Sequence, residues 1–354
     1  MKVHNFSAGP GILPAEVMQQ AAQACIEFNN TGLSILEMSH RSKDVIAVFD
    51  EAVSLAKKLL NLPENYQVIF VQGGASLQFS MVPQNLLNQK AAYLNTGTWA
   101  TKAIKDAKLF GETVVVASSE ADNFTHIPKQ YEIPSDADYF HITSNNTIYG
   151  IQMKEFPKSP VPLVCDMSSD IFSHQFDASL FGLIYAGAQK NMGPAGATMV
   201  IVNPDILGKV NRKIPNMLDY KIHIDSESMY NTPPVFAVYV SMLTLKWLHQ
   251  NGGVAWAEQR NNDKASLLYN ELDQNPMFKG IVAKEDRSTM NANFVLHNPA
   301  LEDSFKELLK EANISGLAGH RSVGGFRASM YNAMGIESVQ VLVDVMRDFA
   351  LRKG

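Results

Sequence analysis

The chain has 354 residues, of which 46% are apolar and 18% charged, with a net charge of -5 and a pI near 6.0. These values exclude a disordered chain and leave no basic footprint for nucleic acid, and the length favours two domains. Cys25 and Cys165 lack the spacing of a disulfide framework or a cysteine zinc site. Because the N-terminus has no apolar signal core and no apolar run is long enough to span a bilayer, we predict a cytoplasmic protein that does not bind membranes.

Short runs rich in Val, Ile and Tyr alternate with helical or loop segments through the first two thirds of the chain. Strands are predicted at residues 66–71, 90–95, 113–118, 138–143, 161–166, 181–187 and 197–203. Strands of this composition, separated by helices, predict a largely parallel sheet that is covered on both faces. The fold class is therefore α/β.

The pattern changes after Asn231, where two long helices are predicted with a break at Gly252–Gly253. A strand, a helix, a further strand and a closing amphipathic helix follow, which together indicate a compact α+β unit. We predict a large domain of residues 16–258 and a small domain formed by residues 1–15 and 259–354.

A lysine stands at the end of a predicted buried strand, in the stretch "LIYAGAQKNMGPAG" of residues 183–196. On position alone, Lys190 would be an exposed surface lysine. Burial would instead lower its pKa and make the amine nucleophilic enough for Schiff-base chemistry, while the surrounding small residues would admit a flat ligand. Asp166, at the end of another apolar strand, could be a helix N-cap, or with Lys190 it could serve as the anion that pyridoxal phosphate needs at its ring nitrogen.

Three further positions fit a flat phosphorylated ligand. The glycine-rich "QGGASLQF" of residues 72–79 is either an ordinary tight turn or an anion site at a helix N-terminus, and it lacks the pattern of a nucleotide-binding P-loop. Trp99 is either a core residue or a ring that stacks on the ligand. Thr147 is either a turn residue or a hydroxyl that bonds a ring substituent.

Arginines recur in loops rich in glycine and serine, at "SHRS" (39–42), "GHRS" (319–322) and Arg327. A single arginine is normally a solvated surface group. Three of them suggest a site for a doubly anionic substrate, because the guanidinium group binds carboxylates and phosphates through paired hydrogen bonds.

Taken together, these residues resemble the phosphoserine aminotransferase family, which belongs to the fold-type I, class V pyridoxal-phosphate-dependent enzymes. The likeness runs essentially from end to end. Its motifs are "NFSAGPGILP", "EMSHRSK", "GGASLQF", "NTGTWA", "DMSSD", "YAGAQKNMGPAG", "YNTPPVFAVY" and "GHRSVGGFRASMYNA". The last three, in this order and spacing, are the most specific.

The resemblance implies a fold-type I large domain with a mostly parallel sheet, a smaller C-terminal α+β domain, and a homodimer with shared active sites. It also implies pyridoxal 5'-phosphate as cofactor, with no metal. The expected reaction interconverts O-phospho-L-serine and 2-oxoglutarate with 3-phosphooxypyruvate and L-glutamate in L-serine biosynthesis. A second activity on the 4-phosphooxy-threonine substrate of pyridoxine biosynthesis is also compatible with the resemblance.

The resemblance assigns a role to each candidate residue. Lys190 would form the Schiff base and then carry the proton of the 1,3-shift, while Asp166 would pair with the pyridinium nitrogen. The expected cofactor-binding residues are Ala75, Ser76, Trp99, Thr147, Asp166, Gln189 and Lys190, with Asn231 and Thr232 reaching the cofactor phosphate from the neighbouring subunit. The expected substrate-binding residues are Arg327 for the α-carboxylate and His40, Arg41, His320 and Arg321 for the distal anion.

The chain departs from the family at Ser76, where some members carry an arginine. The nearest alternative functions are those of an alanine–glyoxylate-type aminotransferase and a cysteine desulfurase of the same fold. A desulfurase needs a mobile catalytic cysteine, which neither Cys25 in a helix nor Cys165 in an apolar run supplies. An alternative of another class is a non-catalytic phosphate-binding protein in which Lys190 is a buried structural lysine.

Overall fold

The computed structural model describes residues 2–353. Within that range there are nine α-helices: α1 (Ala15–Ile26), α2 (Lys43–Leu59), α3 (Gly74–Leu86), α4 (Thr98–Ala107), α5 (Tyr220–Asp225), α6 (Val235–Gln250), α7 (Gly253–Gln274), α8 (Glu302–Glu311) and α9 (Ile336–Lys353). The strands of the same range are β1 (His4–Asn5), β2 (Gln67–Val71), β3 (Lys90–Asn95), β4 (Glu112–Ser118), β5 (Tyr139–Thr143), β6 (Asn145–Asn146), β7 (Ile151–Gln152), β8 (Leu163–Asp166), β9 (Phe181–Gly187), β10 (Thr198–Val202), β11 (Phe278–Gly280), β12 (Asn291–Leu296), β13 (Ile314–Ser315) and β14 (Phe326–Ser329).

The central sheet has seven strands in the order β2-β10-β9-β8-β5-β3-β4. Strand β10 is antiparallel to both of its neighbours, and the other strands all run in one direction. The predicted α/β fold with a largely parallel sheet is confirmed. The reversal of β10 follows from its connection, because residues 188–197 contain no helix and are too few for the usual crossover between parallel strands.

Alternate side chains of each strand enter two different cores. Phe140 and Cys165 join the core formed with α1, α2 and α6, whereas their neighbours Tyr139 and Val164 join the core formed with α3 and α4. Both faces of the sheet are therefore covered by helices, which explains why its strands are continuous apolar runs rather than alternating ones.

A third core lies in the C-terminal part of the chain. It is built from α7, α8, α9 and the antiparallel sheet β11-β12-β14, and Phe6 of the N-terminal segment is buried in it. Strand β1 also pairs with β13. The elements predicted for this part are present, including the break at Gly252–Gly253, while the short strands β1, β11 and β13 were missed. The division at residues 258/259 stays a prediction, and it falls inside α7.

The sheet brings several predicted site residues to one edge. Strand β8 ends at Asp166, and β9 ends just before the turn that contains Lys190. Strands β2 and β3 run in the same direction as β8 and β9 and lead into helices α3 and α4 at the same edge. Open α/β sheets bind ligands at this carboxyl edge. None of the helices in residues 2–353 combines the length and hydrophobicity of a bilayer-spanning segment.

Candidate active site

Lys190 lies in the turn that follows β9 and reaches into the site from the carboxyl edge of the sheet. Its Nζ atom donates a hydrogen bond to Thr147 Oγ1 at 2.8 Å. Burial lowers the pKa of Lys190 to about 8, and the Arg327 charge acts in the same direction, while the Asp166 carboxylate opposes the shift. The Lys190 side chain is half-buried. Because burial lowers its pKa, the amine loses its proton more easily than that of a solvated surface lysine.

Asp166 is buried at the last position of β8. Its Oδ1 atom accepts a hydrogen bond from the backbone N–H of Ser168 at 2.9 Å, so the side chain closes a turn and does not cap a helix. Burial raises the pKa of the Asp166 carboxyl, and the Lys190 ammonium opposes that rise. The carboxylate and the amine thus stabilise each other's charged form in an environment that disfavours both.

A second buried carboxyl, Asp170, lies behind Asp166 and was not predicted. Ser144 Oγ is 2.5 Å from Asp170 Oδ1 and 3.1 Å from the backbone oxygen of Asp166, so it links the two acidic residues. Burial raises the pKa of Asp170 to about 6. The repeated acidic residue of "DMSSD" was the only sequence signal for this second group.

Trp99 is the second residue of α4, and its ring centroid lies 5.4 Å from Lys190 Nζ. Its indole Nε1–H is buried without a hydrogen-bond partner among residues 2–353. A buried donor without a partner is unusual in a native protein and marks a place where a ligand is expected. The geometry therefore favours a ligand-facing Trp99 over a purely structural one.

The glycine-rich loop leads into α3 at the same edge. Gly73 and Gly74 have φ angles of 91° and 65°, a conformation that favours glycine, and α3 begins at Gly74. Ala75 and Ser76 thus occupy the first helical turn, whose backbone N–H groups have no partner within the helix and can bind an anion.

The N-terminal segment packs against the Lys190 turn from the other side. The backbone N–H of Gly11 donates to the oxygen of Gln189 at 2.8 Å. A Cβ atom at Gly11 would lie only 2.7 Å from both the Lys190 oxygen and the Tyr331 ring, so this close approach requires glycine. The segment holds Gln189, which is half-buried, next to the lysine.

Two of the predicted substrate-binding residues lie close to this cluster. Arg327 is half-buried on β14, where burial lowers its pKa and its Nε–H is left without a partner among the described residues. His320 lies in the preceding loop, and its pKa is lowered by burial and then by the charges of Arg327 and Lys102. Arg321 is exposed beside it.

No hydrogen bond or ion pair in the described residues joins the other predicted residues to Lys190 or Asp166. Arg41 is exposed just before α2, and no hydrogen bond or ion pair in residues 2–353 joins it or His40 to Lys190. Asn231 and Thr232 are also exposed, although the Thr232 oxygen accepts a hydrogen bond from Gln72 Nε2 at 3.0 Å beside the glycine-rich loop.

Three buried asparagines join the Lys190 turn to the C-terminal core, and the sequence had not pointed to them. Asn191 Oδ1 accepts from the Asn332 backbone N–H at 2.9 Å, and Asn261 Nδ2 donates to Asn332 Oδ1 at 2.8 Å. We refer to Asn191, Asn261 and Asn332 as the asparagine bridge. It connects the residue after Lys190 with the segment that follows β14, the strand of Arg327.

These residues fit the cofactor that the sequence predicts. They combine a lysine of lowered pKa, a buried carboxylate, an indole with a free donor, and a helix N-terminus suited to a phosphate. Burial raises the pKa of the Cys165 thiol, which makes it a poor nucleophile for a desulfurase. Residues 2–353 contain no group of three or more His, Cys, Asp and Glu side chains arranged for a metal ion.

Comparison with known proteins finds a family model and relatives that match nearly the whole chain. Residues 3–342 match the model of the family "Aminotransferase class-V". A phosphoserine aminotransferase of Flavobacterium johnsoniae is 65% identical over 350 residues, which cover 98% of each chain.

Solved structures of phosphoserine aminotransferases are also similar. That of Bacillus circulans subsp. alkalophilus superimposes with a TM-score of 0.97 at 46% identity, covering 100% of this chain and 99% of its own. A pyridoxal-phosphate-bound enzyme of Trichomonas vaginalis gives a TM-score of 0.94 at 38% identity, covering 98% of this chain and all of its own.

Proposed function

The chain belongs to the class-V aminotransferases and, within them, to the pyridoxal-phosphate-dependent phosphoserine aminotransferases, and from this premise we propose the direction and residue roles of its reaction. L-glutamate gives up its amino group and leaves as 2-oxoglutarate. 3-Phosphooxypyruvate then receives that group and becomes O-phospho-L-serine, for L-serine biosynthesis. The cytoplasmic location stays a prediction.

One observation carries the proposal: a lysine of lowered pKa, a buried carboxylate and an indole meet at the carboxyl edge of the sheet. Lys190 Nζ is hydrogen-bonded to Thr147 and lies 5.4 Å from the Trp99 ring centroid, with its charge coupled to Asp166. Each of the three groups matches one requirement of pyridoxal-phosphate chemistry.

When bound, pyridoxal phosphate supplies a protonated ring that accepts electrons from the substrate's Cα. Lys190 Nζ would be the amine that holds the cofactor, and in its free form it would take the proton from the substrate's Cα and redeliver it. The pKa of the free Lys190 amine, about 8, is close to neutral pH, so the amine can both accept and return a proton. Asp166 would pair with the ring nitrogen and keep it protonated.

The remaining proposed contacts orient the flat ring. Trp99 would stack on it and Thr147 Oγ1 would bond its hydroxyl, and the 2.8 Å hydrogen bond between Lys190 Nζ and Thr147 Oγ1 supports this placement of Thr147. The phosphate is bound by the backbone N–H groups of Ala75 and Ser76 and by the Gln189 side chain.

We propose that the site is completed in a homodimer. Asn231 and Thr232 reach the cofactor phosphate of the neighbouring subunit, which is consistent with their exposure here and with the exposed apolar side chains of Met217 and Tyr230 nearby in the sequence. Arg41 is exposed and without an ion pair in the described chain, as expected of a residue that acts across the interface.

Substrate recognition is proposed to divide between the two ends of the amino acid. Arg327 binds the α-carboxylate, and its unpartnered buried Nε–H supports that role. His40, Arg41, His320 and Arg321 surround the distal anion. Since glutamate and O-phospho-L-serine share both ends, one pocket serves both half-reactions, and it would also admit the 4-phosphooxy-threonine substrate of pyridoxine biosynthesis.

The test is an assay of glutamate-dependent amination of 3-phosphooxypyruvate by the purified holoenzyme, with pyruvate and glyoxylate as unphosphorylated controls. The proposal expects turnover of the phosphorylated acceptor and little of the controls. Borohydride should bleach the yellow colour and leave a reduced pyridoxyl-phosphate label on the peptide that contains Lys190. Preference for glyoxylate would favour the alanine–glyoxylate alternative, and a colourless, inactive protein would favour the non-catalytic one.

A further inference from the structure

Lys102 extends from α4 to the Trp99 ring and has no role in the reaction described above. It follows Trp99 by three residues, so both side chains lie on one face of the helix. Its Nζ atom is 4.7 Å from the indole centroid, and Lys190 Nζ is 5.4 Å from the same centroid. Two ammonium groups therefore flank one ring at the active site.

Lys102 lies near other basic groups, and the Asp106 carboxylate one turn further along α4 forms no ion pair with it in the described residues. The Lys102 side chain is exposed and forms no hydrogen bond or ion pair with residues 2–353. The charges of Lys102 and Arg327 both reach His320, where they lower the pKa below what burial alone would give. Like charges that converge without being ion-paired to a carboxylate disfavour one another unless an anion binds between them.

The glycine-rich loop next to α4 supplies no cationic side chain of its own. Its residues 72–79, "QGGASLQF", contain no lysine or arginine, so the loop contributes backbone N–H groups but no charged side chain. Helix α4 packs beside α3, which the loop opens, and Ser80 Oγ of α3 lies 3.5 Å from Asp106 Oδ2 of α4. Lys102 thus stands on the neighbouring helix, on the side of the pocket where the loop is uncharged.

We propose that Lys102 is a specificity-determining residue that contacts the distal phosphate of the substrate from the α4 side, beside the loop that carries His320 and Arg321. The proposal rests on the proposed function. An ammonium group acts as a point charge, so its attraction to a phosphate dianion exceeds its attraction to the single charge of a carboxylate. Lys102 therefore favours phosphorylated substrates over glutamate-like ones.

The test compares Lys102→Met with Lys105→Met, which removes the same charge one turn further along α4. For Lys102→Met we expect about a tenfold higher KM for O-phospho-L-serine, while kcat and the KM for L-alanine stay within about twofold, as for loss of a single rim charge. Lys102→Arg should retain most of the affinity, and Lys105→Met should behave as the wild type.

A binding measurement separates this role from turnover. Calorimetric titration of the holoenzyme with 3-phosphoglycerate, which has both anionic ends but no amino or keto group, should show the same rise of about tenfold in Kd for Lys102→Met only. An unchanged Kd, or a fall in kcat that is equal for phosphorylated and unphosphorylated substrates, would mean that Lys102 only supports Trp99 and would overturn the proposal. If the wild-type protein binds 3-phosphoglycerate but fails to aminate 3-phosphooxypyruvate, the proposed function is wrong, while the role of Lys102 in phosphate binding can still be tested by the Kd values.

Discussion

The inner wall of the pocket and its outer rim differ in how many of their polar side chains already have hydrogen-bond or ion-pair partners within the chain. The inner wall, formed by Lys190, Asp166 and Thr147, has hydrogen bonds to defined partners and pKa values shifted by burial. The proposed outer rim, to which Lys102 and Arg321 belong and which Arg41 would join across the proposed dimer interface, consists of exposed side chains that make no ion pairs within the described residues.

The difference corresponds to two kinds of task. Moving a proton requires groups that are held in position before the substrate arrives, because reorganisation would add to the barrier. Holding an anionic tail requires only charges that can converge on it, and such charges act mainly on affinity. We therefore expect substitutions in the inner wall to change kcat and substitutions in the outer rim to change KM.

The largest effect is expected for Lys190→Ala in the inner wall. Loss of the proton-carrying amine should lower turnover of O-phospho-L-serine by at least about a thousandfold, measured as glutamate formation from 2-oxoglutarate. Lys105→Ala, which removes a lysine elsewhere on the surface, is the control and should remain fully active. Near-native turnover of Lys190→Ala would show that the Lys190 amine does not carry the proton.

Asp166→Ala should have the next largest effect. Removing a buried charge that stabilises the protonated ring should raise the barrier by about 3–4 kcal/mol, which is about a hundredfold to a thousandfold in kcat. Asp205→Ala, at an exposed carboxylate away from the site, serves as the control. Unchanged kinetics in Asp166→Ala would show that the carboxylate is structural.

Arg41→Ala and Arg321→Ala test the outer rim. Each should raise the KM for O-phospho-L-serine by about tenfold or more and change the KM for L-alanine by less than about twofold. The exposed Arg352, paired with Asp348 on α9, provides the matched control Arg352→Ala. Equal effects on the two substrates would show that these arginines do not bind the distal anion.

The smallest expected effect concerns pH. Below a pH of about 8 the Lys190 ammonium predominates, so recombination of pyridoxal phosphate with the apoenzyme should accelerate as pH rises and then level off. The Asp166 charge raises the pKa of Lys190, and Asp166→Asn should therefore move the plateau to lower pH. Stopped-flow absorbance measures both profiles, and a shift to higher pH would contradict the assigned coupling.

Much of the inner wall could be predicted from the sequence because it depends on local patterns. Strand ends place Asp166 and Lys190 at one sheet edge whatever the details of packing, and small residues around Lys190 indicate a close approach. The antiparallel β10 was also predictable in principle, from the short connection after β9.

The remaining features depend on contacts between distant parts of the chain. Asn191 and Asn332 are brought together only by the packing of the C-terminal core against the sheet, and an asparagine in a loop carries no sign of its partner. Likewise, Lys102 resembles any exposed helix lysine until the loop of His320 is placed beside it. Local propensity cannot reveal such pairs.

Helix α7 has a practical consequence for recombining this enzyme with its relatives. It runs without interruption from Gly253 to Gln274, across the predicted boundary at residues 258/259, and Asn261 and Lys264 on it are bonded to the segment that follows β14. A chimera joined at the boundary would combine two halves of one helix from different parents. A junction at Gly252, which has a φ of 111° and precedes the helix, keeps each parent's helix and its contacts intact.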